Sequence, residues 1–208
     1  MLKKKFFFIV FEGVEGTGKS YQINKLYRKL KSEKLNVIKT REPGGTKTAE
    51  KIRNLIFSNK SNNFDKLTDF YLMCASRNEH VQKLLRSAKI QKKIILCDRF
   101  TDSTYAYQVV GNKIDQNINL LNQNYILQGL KPDMTIILKS NYKTIFSRIK
   151  KRKKLNKFDK LKIDFYKKAQ TCYIKRALGK KNYYIFDSSK NSPDLEKKIY
   201  ELTIKKLK

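Results

Sequence analysis

The sequence predicts an α/β fold, with a five-stranded parallel sheet covered by helices on both faces. Short apolar runs of strand length alternate along the chain with longer stretches whose apolar residues recur at helical spacing. Such alternation is typical of strands joined through right-handed helical crossovers, which make the sheet parallel. The chain has 208 residues, of which 40% are hydrophobic, so it is long enough to bury a core of its own. We therefore expect one domain, residues 1–208, without internal repeats.

Five apolar runs are predicted to be strands. The first is almost continuously apolar, which is typical of a strand buried on both faces of a parallel sheet. In chain order the predicted strands are Lys5–Phe11, Leu35–Thr40, Lys93–Cys97, Met134–Leu138 and Tyr183–Phe186. Helical patterns fill the intervals and follow the last strand. Those of the first half are Lys19–Lys34, Thr46–Phe57 and Asp65–Ala88.

Composition excludes several classes of protein. No apolar run approaches the ~18 residues of a membrane span, and 12% aromatic residues argue against disorder along the whole chain. The cysteines, Cys74, Cys97 and Cys172, are odd in number and far apart, which indicates neither a disulfide framework nor a metal site. The single histidine, His80, cannot form a His-rich metal site. The first apolar run ends at Glu12 without a signal-peptide cleavage site, so we expect a cytoplasmic protein.

The net charge of +30 has two interpretations. A strongly basic chain commonly binds a polyanion such as nucleic acid. Here the excess comes from Lys, with only nine Arg, and the lysines are scattered along the chain. Asn, Ile, Phe and Tyr are also abundant, a joint enrichment that matches A/T-rich codons. We therefore favour a solvated Lys-rich surface over a nucleic-acid interface.

A glycine-rich segment between the first strand and the first helix matches G-x-x-x-x-G-K-[ST] at every fixed position. It consists of Gly13, Val14, Glu15, Gly16, Thr17, Gly18, Lys19 and Ser20. Glycines allow the backbone to curl so that its N–H groups point inward, and the following helix adds its positive dipole end. Lys19 can reach the β- and γ-phosphates of a nucleotide, and the Ser20 hydroxyl can ligate Mg²⁺. The segment predicts ATP or GTP binding but does not identify the phosphate acceptor.

Two more segments follow predicted strands, at the edge of the sheet where α/β proteins bind ligands. Asp98 and Arg99 end the third strand, where a carboxylate can hold Mg²⁺ or its waters and an arginine can clamp a phosphoryl group. Arg41 follows the second strand and precedes a Pro-Gly-Gly break. It either approaches an anionic acceptor or belongs to an ordinary turn.

A dense basic stretch, Arg148–Lys162, is interpreted as a mobile loop. Its cations include Arg148, Lys150, Lys151, Arg152, Lys153, Lys154 and Lys157. Positioned cations are the main catalytic contribution in phosphoryl transfer, and Arg148 and Arg152 are spaced to share one helix face. A solvated basic loop and a nucleic-acid groove are the alternatives, although the interleaved aromatics that stack single-stranded bases are missing.

Over nearly its whole length the sequence resembles the bacterial thymidylate kinases. Four segments carry the resemblance, in the family's order and with family-like spacing. They are Glu12–Ser20, Thr40–Thr46, Asp98–Gln108 and Lys131–Asp133. The resemblance implies a P-loop kinase fold with a mobile lid, ATP as donor, Mg²⁺ as cofactor, dTMP as acceptor and often a homodimer. We accordingly expect no membrane partner and no specific nucleic acid.

The resemblance also implies roles for individual residues in the acceptor site. Glu15 matches the acidic residue near the 3′-hydroxyl of dTMP, and Arg77 matches the arginine that reads the thymine edge. Thr104 and Tyr107 match positions that line base and sugar, with Tyr107 near C2′, where it disfavours a ribose hydroxyl. The other residues expected to bind the acceptor are Arg41, Met73, Asp98, Arg99, Ser103 and Gln108.

Position 17 is Thr, so the phosphate loop carries no arginine for the transition state. In the bacterial subgroup with this pattern the lid supplies it, and the resemblance places the lid at about residues 148–160. The residues expected to be catalytic are Lys19, Arg99, Arg148 and Arg152, and those expected at Mg²⁺ are Ser20 and, through water, Asp98. No general base is required, because the acceptor phosphate is already ionised.

Five positions depart from the family's pattern. Phe100 stands where Tyr or His is usual, and Met73 where an aromatic commonly stacks on thymine. Lys150, Lys157 and Gln170 stand where Arg is common, so the fork geometry of a guanidinium is lost. These departures concern the lid and base affinity more than the reaction class.

Two other functions remain open from the residues. The first is a P-loop kinase for another nucleoside, nucleotide or small-metabolite acceptor. The second is a basic nucleic-acid-binding protein with a vestigial or regulatory P-loop, which predicts steeply salt-sensitive binding. The second leaves Arg41, Arg77 and Asp98 without a role.

Overall fold

The computed structural model describes residues 5–58, 64–153, 155–190 and 192–208. Its five strands are β1 Phe7–Glu12, β2 Val37–Arg41, β3 Ile94–Asp98, β4 Met134–Lys139 and β5 Tyr183–Asp187. The strands form one parallel sheet in the order β2-β3-β1-β4-β5. The predicted α/β fold is confirmed, and each predicted strand is present with its bounds shifted by at most two residues.

Helices connect the strands and cover the sheet. They are α1 Lys19–Ser32, α2 Lys47–Phe57, α3 Lys66–His80, α4 Arg86–Ile90, α5 Thr101–Thr104, α6 Gln116–Leu127, α7 Tyr142–Lys150, α8 Ile163–Ala177 and α9 Pro193–Leu207. Two π-helical segments, Val81–Leu85 and Tyr105–Gly111, continue α3 into α4 and extend α5, and a 3₁₀ turn spans Lys157–Lys160. No helix in the described ranges is long and apolar enough to cross a membrane.

The core lies on both faces of the sheet because β1 is buried along its whole length. Phe7, Ile9 and Phe11 pack with residues of α1 and α9 on one face. Phe8 and Val10 pack with residues of α3 and α6 on the other. This alternation is what a strand between two helical layers requires, since successive side chains point to opposite faces.

The strand register brings the predicted site segments to one edge. Phe11 of β1 and Arg41 of β2 both pair with Asp98, the last residue of β3. The phosphate loop, the β2–α2 turn and the β3–α5 connection therefore leave the sheet side by side, at the edge where parallel sheets bind ligands.

The basic stretch differs from its prediction. Helix α7 continues to Lys150, so Arg148 is helical, whereas Arg152 lies beyond the helix end. The helix ends because the N–H groups of Lys151 and Arg152 both donate to the carbonyl of Ile149. The expectation that Arg148 and Arg152 share a helix face is wrong, and Lys154 lies outside the described residues.

Candidate active site

The phosphate loop, residues 13–20, joins β1 to α1 in a conformation that requires glycine. Gly13 has φ +135° and Gly16 has φ +76°, both in the left-handed region. A Cβ on Gly13 would lie 2.3 Å from the carbonyl oxygen of Leu138, and one on Gly16 would lie 2.7 Å from that of Ile145. The loop therefore lies directly against Leu138 of β4 and Ile145 of α7, with no room for side chains at these two positions.

The side chain of Lys19 stabilises the phosphate loop through hydrogen bonds to its backbone. Its Nζ donates to the carbonyls of Gly13 and Val14 at 2.8 and 2.9 Å, and the residue is buried. Burial, and then the neighbouring Arg99, lowers the pKa of Lys19 to about 8. Helix α1 begins here at Gly18 without a side-chain cap. Its first N–H groups and the Lys19 ammonium thus form a basic cradle for an anion.

Ser20 and Asp98 lie together beside the loop. The Ser20 hydroxyl donates to Oδ2 of Asp98 at 2.7 Å, which brings two oxygen ligands from α1 and β3 next to each other. Hard divalent cations prefer such oxygens. In the described ranges no three His, Cys, Asp or Glu side chains gather as a metal cage. The donor set therefore fits Mg²⁺ bound in part through nucleotide phosphates and water, the usual arrangement for that ion.

Arg99 is fixed at the centre of the site in a left-handed backbone conformation, with φ +73°. Its guanidinium donates to Oε1 of Glu15 at 2.7 Å and to the hydroxyls of Ser103 and Tyr173, both at 3.1 Å. Tyr107 donates its hydroxyl to the other oxygen of Glu15. Burial and the Glu15 charge raise the pKa of Tyr107, so its hydroxyl stays protonated as a donor.

Arg77 is the second fixed guanidinium. Its Nε donates to Oε2 of Glu42 at 2.7 Å, and its Nη2 donates to the carbonyl of Phe100 at 3.0 Å and to Thr104 Oγ1 at 2.9 Å. The Nη1 atom is buried and has no hydrogen-bond partner among the residues that the structure describes. An unpaired charged donor is costly inside a protein, so this atom is available for a ligand acceptor.

One cleft of about 690 Å³ joins these groups. It runs from the phosphate loop past Arg99 to Arg77 and Met73. The predicted residues that line it are Glu15, Gly16, Gly18, Lys19, Ser20, Arg41, Met73, Arg77, Asp98, Arg99, Ser103, Thr104, Tyr107, Gln108, Arg148 and Arg152. The predicted residues Gly13, Val14 and Thr17 are not among those that line the cleft. The Thr17 hydroxyl donates to the Val14 carbonyl at 2.8 Å within the loop.

The described residues of the predicted lid, 148–153 and 155–160, lie along one side of the cleft. Lys157 donates to both oxygens of Asp69 on α3, at 2.7 and 2.5 Å. The Phe158 ring lies edge-on to Tyr107 at 5.3 Å and to Phe57 at 5.6 Å. These contacts connect the segment to α2, α3 and the π-helical segment that carries Tyr107.

The two lid arginines have different partners. Arg148 donates to the carbonyls of Gly16 and Ser188, at 3.1 and 2.9 Å, and so touches the phosphate loop. Arg152 is paired with the buried carboxylate of Asp159 at 2.5 Å. Of the two predicted lid arginines, Arg148 is the one that contacts the phosphate loop.

Comparison with known proteins gives the family. The thymidylate kinase family model matches residues 11–199. The thymidylate kinase of Aster yellows witches'-broom phytoplasma is 38% identical over 205 residues, which cover 97% of this chain and 96% of the relative. The chain belongs to the thymidylate kinase family. The thymidylate kinase of Acinetobacter baylyi is 38% identical over 168 residues, 80% of this chain and 82% of the relative. The crystal structure of thymidylate kinase from Ehrlichia chaffeensis has a TM-score of 0.76 at 30% identity, covering 98% of this chain and all of that one.

Two positions that depart from the thymidylate kinase pattern have structural roles. Phe100 is buried, packs edge-on against Phe8 at 5.1 Å and lies 5.3 Å from the guanidinium of Arg77. Gln170 exchanges hydrogen bonds with the backbone of Ser140, at 3.0 and 3.1 Å, and so ties α8 to the end of β4. An amide is suited to this paired contact because it both donates and accepts.

Three residues of this thymidylate kinase site were not predicted. Arg53 of α2 lines the cleft, lies 4.5 Å over the ring of Phe57 and donates to the carbonyl of Pro43 at 2.7 Å. Burial, and then Arg41, lowers its pKa to about 10. Glu42 is the buried partner of Arg77. The one available signal for Arg53 was that an arginine is rare in this Lys-rich sequence.

Glu12 is the third unpredicted residue, buried at the end of β1 under the site. Its carboxylate accepts the N–H groups of Phe100 and Ser103, at 2.8 and 3.1 Å, and the Ser103 hydroxyl at 2.6 Å. It therefore holds the start of α5 directly behind Arg99. Its place in the motif ahead of the phosphate loop gave no indication of that role.

Proposed function

We propose that this thymidylate kinase binds ATP at the phosphate loop and dTMP between Arg99 and Arg77, and transfers the γ-phosphoryl group along the cleft. Membership of the family gives the reaction as phosphorylation of dTMP and ATP as the donor. The observation that carries the arrangement is that Lys19, Arg99 and Arg77 line one continuous cleft. Two nucleotides bound end to end would bring donor and acceptor phosphates together in its middle.

At the donor end, the N–H groups of the phosphate loop and Lys19 would bind the phosphates of ATP. Lys19 would exchange its present bonds to loop carbonyls for phosphate oxygens, which are stronger acceptors for an ammonium. Mg²⁺ would be held at Ser20, and through water at Asp98, and would neutralise charge on the phosphates.

At the acceptor end, arginines would bind the monophosphate. Arg99 is held in place by Glu15 and two hydroxyls, and Arg53 lies close to Arg41 on the neighbouring wall. Planar guanidinium groups match phosphate oxygens in pairs. Because the acceptor phosphate is ionised, these residues need only orient it for attack on the γ-phosphorus.

The base and the sugar would be recognised at the far end. The free Nη1 of Arg77 would donate to a carbonyl on the thymine edge, with Met73, Thr104 and Gln108 around the ring. The Glu15–Tyr107 pair would face the sugar, and the bulk of Tyr107 would disfavour a 2′-hydroxyl there.

The lid would supply the cation for the transition state and exclude water. We assign that role to Arg148 rather than Arg152, since Arg148 already contacts the phosphate loop at Gly16, whereas Arg152 is paired with Asp159. An arginine that stabilises the transferring group can contribute roughly 10³-fold or more to the rate.

We also propose a homodimer. Large apolar side chains are exposed on α2, α3 and α6, and α3 packs against both of the others. They are Leu55, Leu67, Tyr71, Leu120, Leu121 and Tyr125. A second copy of the chain packed on these helices would cover exposed apolar side chains. The cytoplasmic location remains a prediction from the sequence.

The test is a coupled ADP-release assay with ATP and Mg²⁺ against dTMP, dUMP, UMP, CMP, AMP and GMP. We expect dTMP to be preferred, and Lys19→Ala and Arg99→Ala each to lower turnover by about 100-fold or more without loss of the fold. Lys197→Ala, at an exposed lysine on α9, is the control and should be silent. Preference for AMP, or wild-type turnover in either site variant, would refute the proposal.

A further inference from the structure

The only histidine of the chain lies in a buried polar network behind Arg77. His80, on α3 one turn after Arg77, has no solvent exposure. Its Nδ1 lies 2.9 Å from Oε1 of Glu42, and its Nε2 lies 2.7 Å from Thr40 Oγ1. Glu42 uses its other oxygen to accept from Arg77 Nε at 2.7 Å. The contacts run Thr40, His80, Glu42, Arg77 and then Thr104, from the end of β2 into the cleft.

The charges in this network fix the direction of its hydrogen bonds. Burial raises the pKa of Glu42, but Arg77 and His80 outweigh it, so that pKa lies below its usual value and the group is an acceptor-only carboxylate. The Nδ1 of His80 must then carry a proton. In the neutral imidazole Nε2 is left as an acceptor for the Thr40 hydroxyl.

The turn after β2 packs closely against the imidazole of His80. A Cβ on Gly45 would lie 2.7 Å from Cδ2 of His80 and 2.4 Å from Thr40 Oγ1. One turn earlier on α3, the Ser76 hydroxyl accepts the N–H of Gly44 at 3.0 Å. The Pro-Gly-Gly turn therefore closes directly over His80.

We propose that His80 is a positioning residue that sets base selectivity. By occupying one oxygen of Glu42, it limits Glu42 to one hydrogen bond with Arg77. A carboxylate with both oxygens free pairs with Nε and Nη2 of an arginine at once. With Oε1 occupied by His80, Nη2 remains with Thr104 and Phe100, and Nη1 stays unpaired on a side chain that lines the cleft. Without His80, Oε1 would be buried and unpaired and would take Nη2 from Thr104, which would turn the guanidinium away from the base. The inference rests on the base-reading role proposed for Arg77.

The first experiment compares dTMP with 5-methyl-dCMP, which replaces the ring carbonyl at C4 by an amino group. His80→Phe keeps the volume and removes both hydrogen bonds. We expect it to raise KM for dTMP by about tenfold, to leave KM for ATP unchanged and to lower the preference for dTMP by a similar factor. His80→Asn, which keeps a donor near Nδ1, should restore most of the preference. Unchanged KM and preference in folded His80→Phe would overturn the inference.

A double-mutant cycle separates this inference from the proposed role of Arg77. If His80 acts through Arg77, His80→Phe has no further effect on preference in an Arg77→Ala background. Independent effects that multiply would refute it. If Arg77→Ala alone leaves the preference unchanged, the proposed role of Arg77 is the one that fails.

A milder variant covers the case in which His80→Phe does not fold. Thr40→Val removes the hydroxyl bonded to Nε2 and should shift the preference in the same direction by about twofold to threefold. Its matched control is Thr203→Val, a buried hydroxyl bonded to the Ile199 carbonyl on α9, which should be silent. An unchanged preference in Thr40→Val would count against the positioning role.

The single histidine also gives an unambiguous spectroscopic test. The imidazole signals of the ¹⁵N-labelled chain come from His80 alone. We expect a protonated Nδ1 whose shift moves in Arg77→Ala, because Glu42 joins the two side chains. A tautomer with the proton on Nε2 alone would exclude donation to Glu42 and overturn the inference.

Discussion

The pH dependence of stability tests the burial of Glu12 at the end of β1. Burial, and then the nearby Asp102 charge, raises the pKa of Glu12 from its ordinary value of 4.5 to about 7. Between these values the folded chain holds a proton that the unfolded chain has released. The resulting stabilisation is complete below the unfolded pKa and is lost as the pH rises through the folded pKa.

The magnitude follows from the size of that interval. Each pH unit within it is worth about 1.4 kcal/mol, so the loss between about pH 5 and about pH 8 is on the order of 3 kcal/mol. Glu12→Gln abolishes the titration, while its carbonyl oxygen can still accept the N–H groups of Phe100 and Ser103. We therefore expect the variant to gain about 3 kcal/mol relative to the wild type across this range.

Urea unfolding followed by circular dichroism at several pH values measures this difference, and titrating groups that do not interact with Glu12 contribute equally to the two proteins. Glu201→Gln, at an exposed carboxylate on α9, is the matched Glu-to-Gln control on the surface. A constant difference between Glu12→Gln and wild type would refute the reasoning. It would mean that Arg99 and the three hydrogen bonds keep the carboxylate ionised in the folded chain throughout.

Three further outcomes are expected. Gly16→Ala forces a Cβ to within 2.7 Å of the Ile145 carbonyl at a positive φ, so it should destabilise the fold by about 2 kcal/mol and weaken ATP binding, measured by urea unfolding and KM. Phe158→Ala removes the edge contacts to Tyr107 and Phe57 and should lower kcat/KM for dTMP about tenfold with the unfolding midpoint unchanged; equal kinetics would contradict the lid assignment. Chelation with EDTA should abolish turnover and added Mg²⁺ should restore it, so turnover in EDTA would exclude the metal role.

The sequence was most informative where one chemical requirement controls several adjacent residues. The phosphate loop could be located because its spacing combines two glycines that need positive φ with a lysine and a hydroxyl at fixed positions. The three central strands, β1, β3 and β4, were located because burial on both faces leaves little but apolar residues. The ends of the strands, and so the shared edge that brings Arg41 and Asp98 together, followed from the parallel fold.

Contacts between distant parts of the chain could not be predicted from one sequence. Lys157 and Asp69 are 88 residues apart, and nothing in either segment indicates the other. The sequence did not predict that α7 ends at Lys150, because consecutive basic residues have similar helix propensities and mark no boundary. The helix ends in a tight turn whose N–H groups donate to the Ile149 carbonyl. The homodimer and the roles of the site residues stay predictions until the experiments above are made.

The arginines, rather than the net charge, carry the electrostatic information in this sequence. Six of the nine arginines line the cleft, namely Arg41, Arg53, Arg77, Arg99, Arg148 and Arg152. Where a solvated positive charge suffices, Lys replaces Arg without cost, so A/T-rich coding can fill the surface with lysine. A guanidinium that must pair with a buried carboxylate and still present donors to a nucleotide cannot be replaced in that way, because an ammonium lacks the planar fork. Arg77 with Glu42 and Arg99 with Glu15 form such pairs with buried carboxylates, and both arginines line the cleft. In a strongly Lys-rich kinase, the residual arginines therefore indicate the site more reliably than the charge of +30 indicates a polyanionic partner.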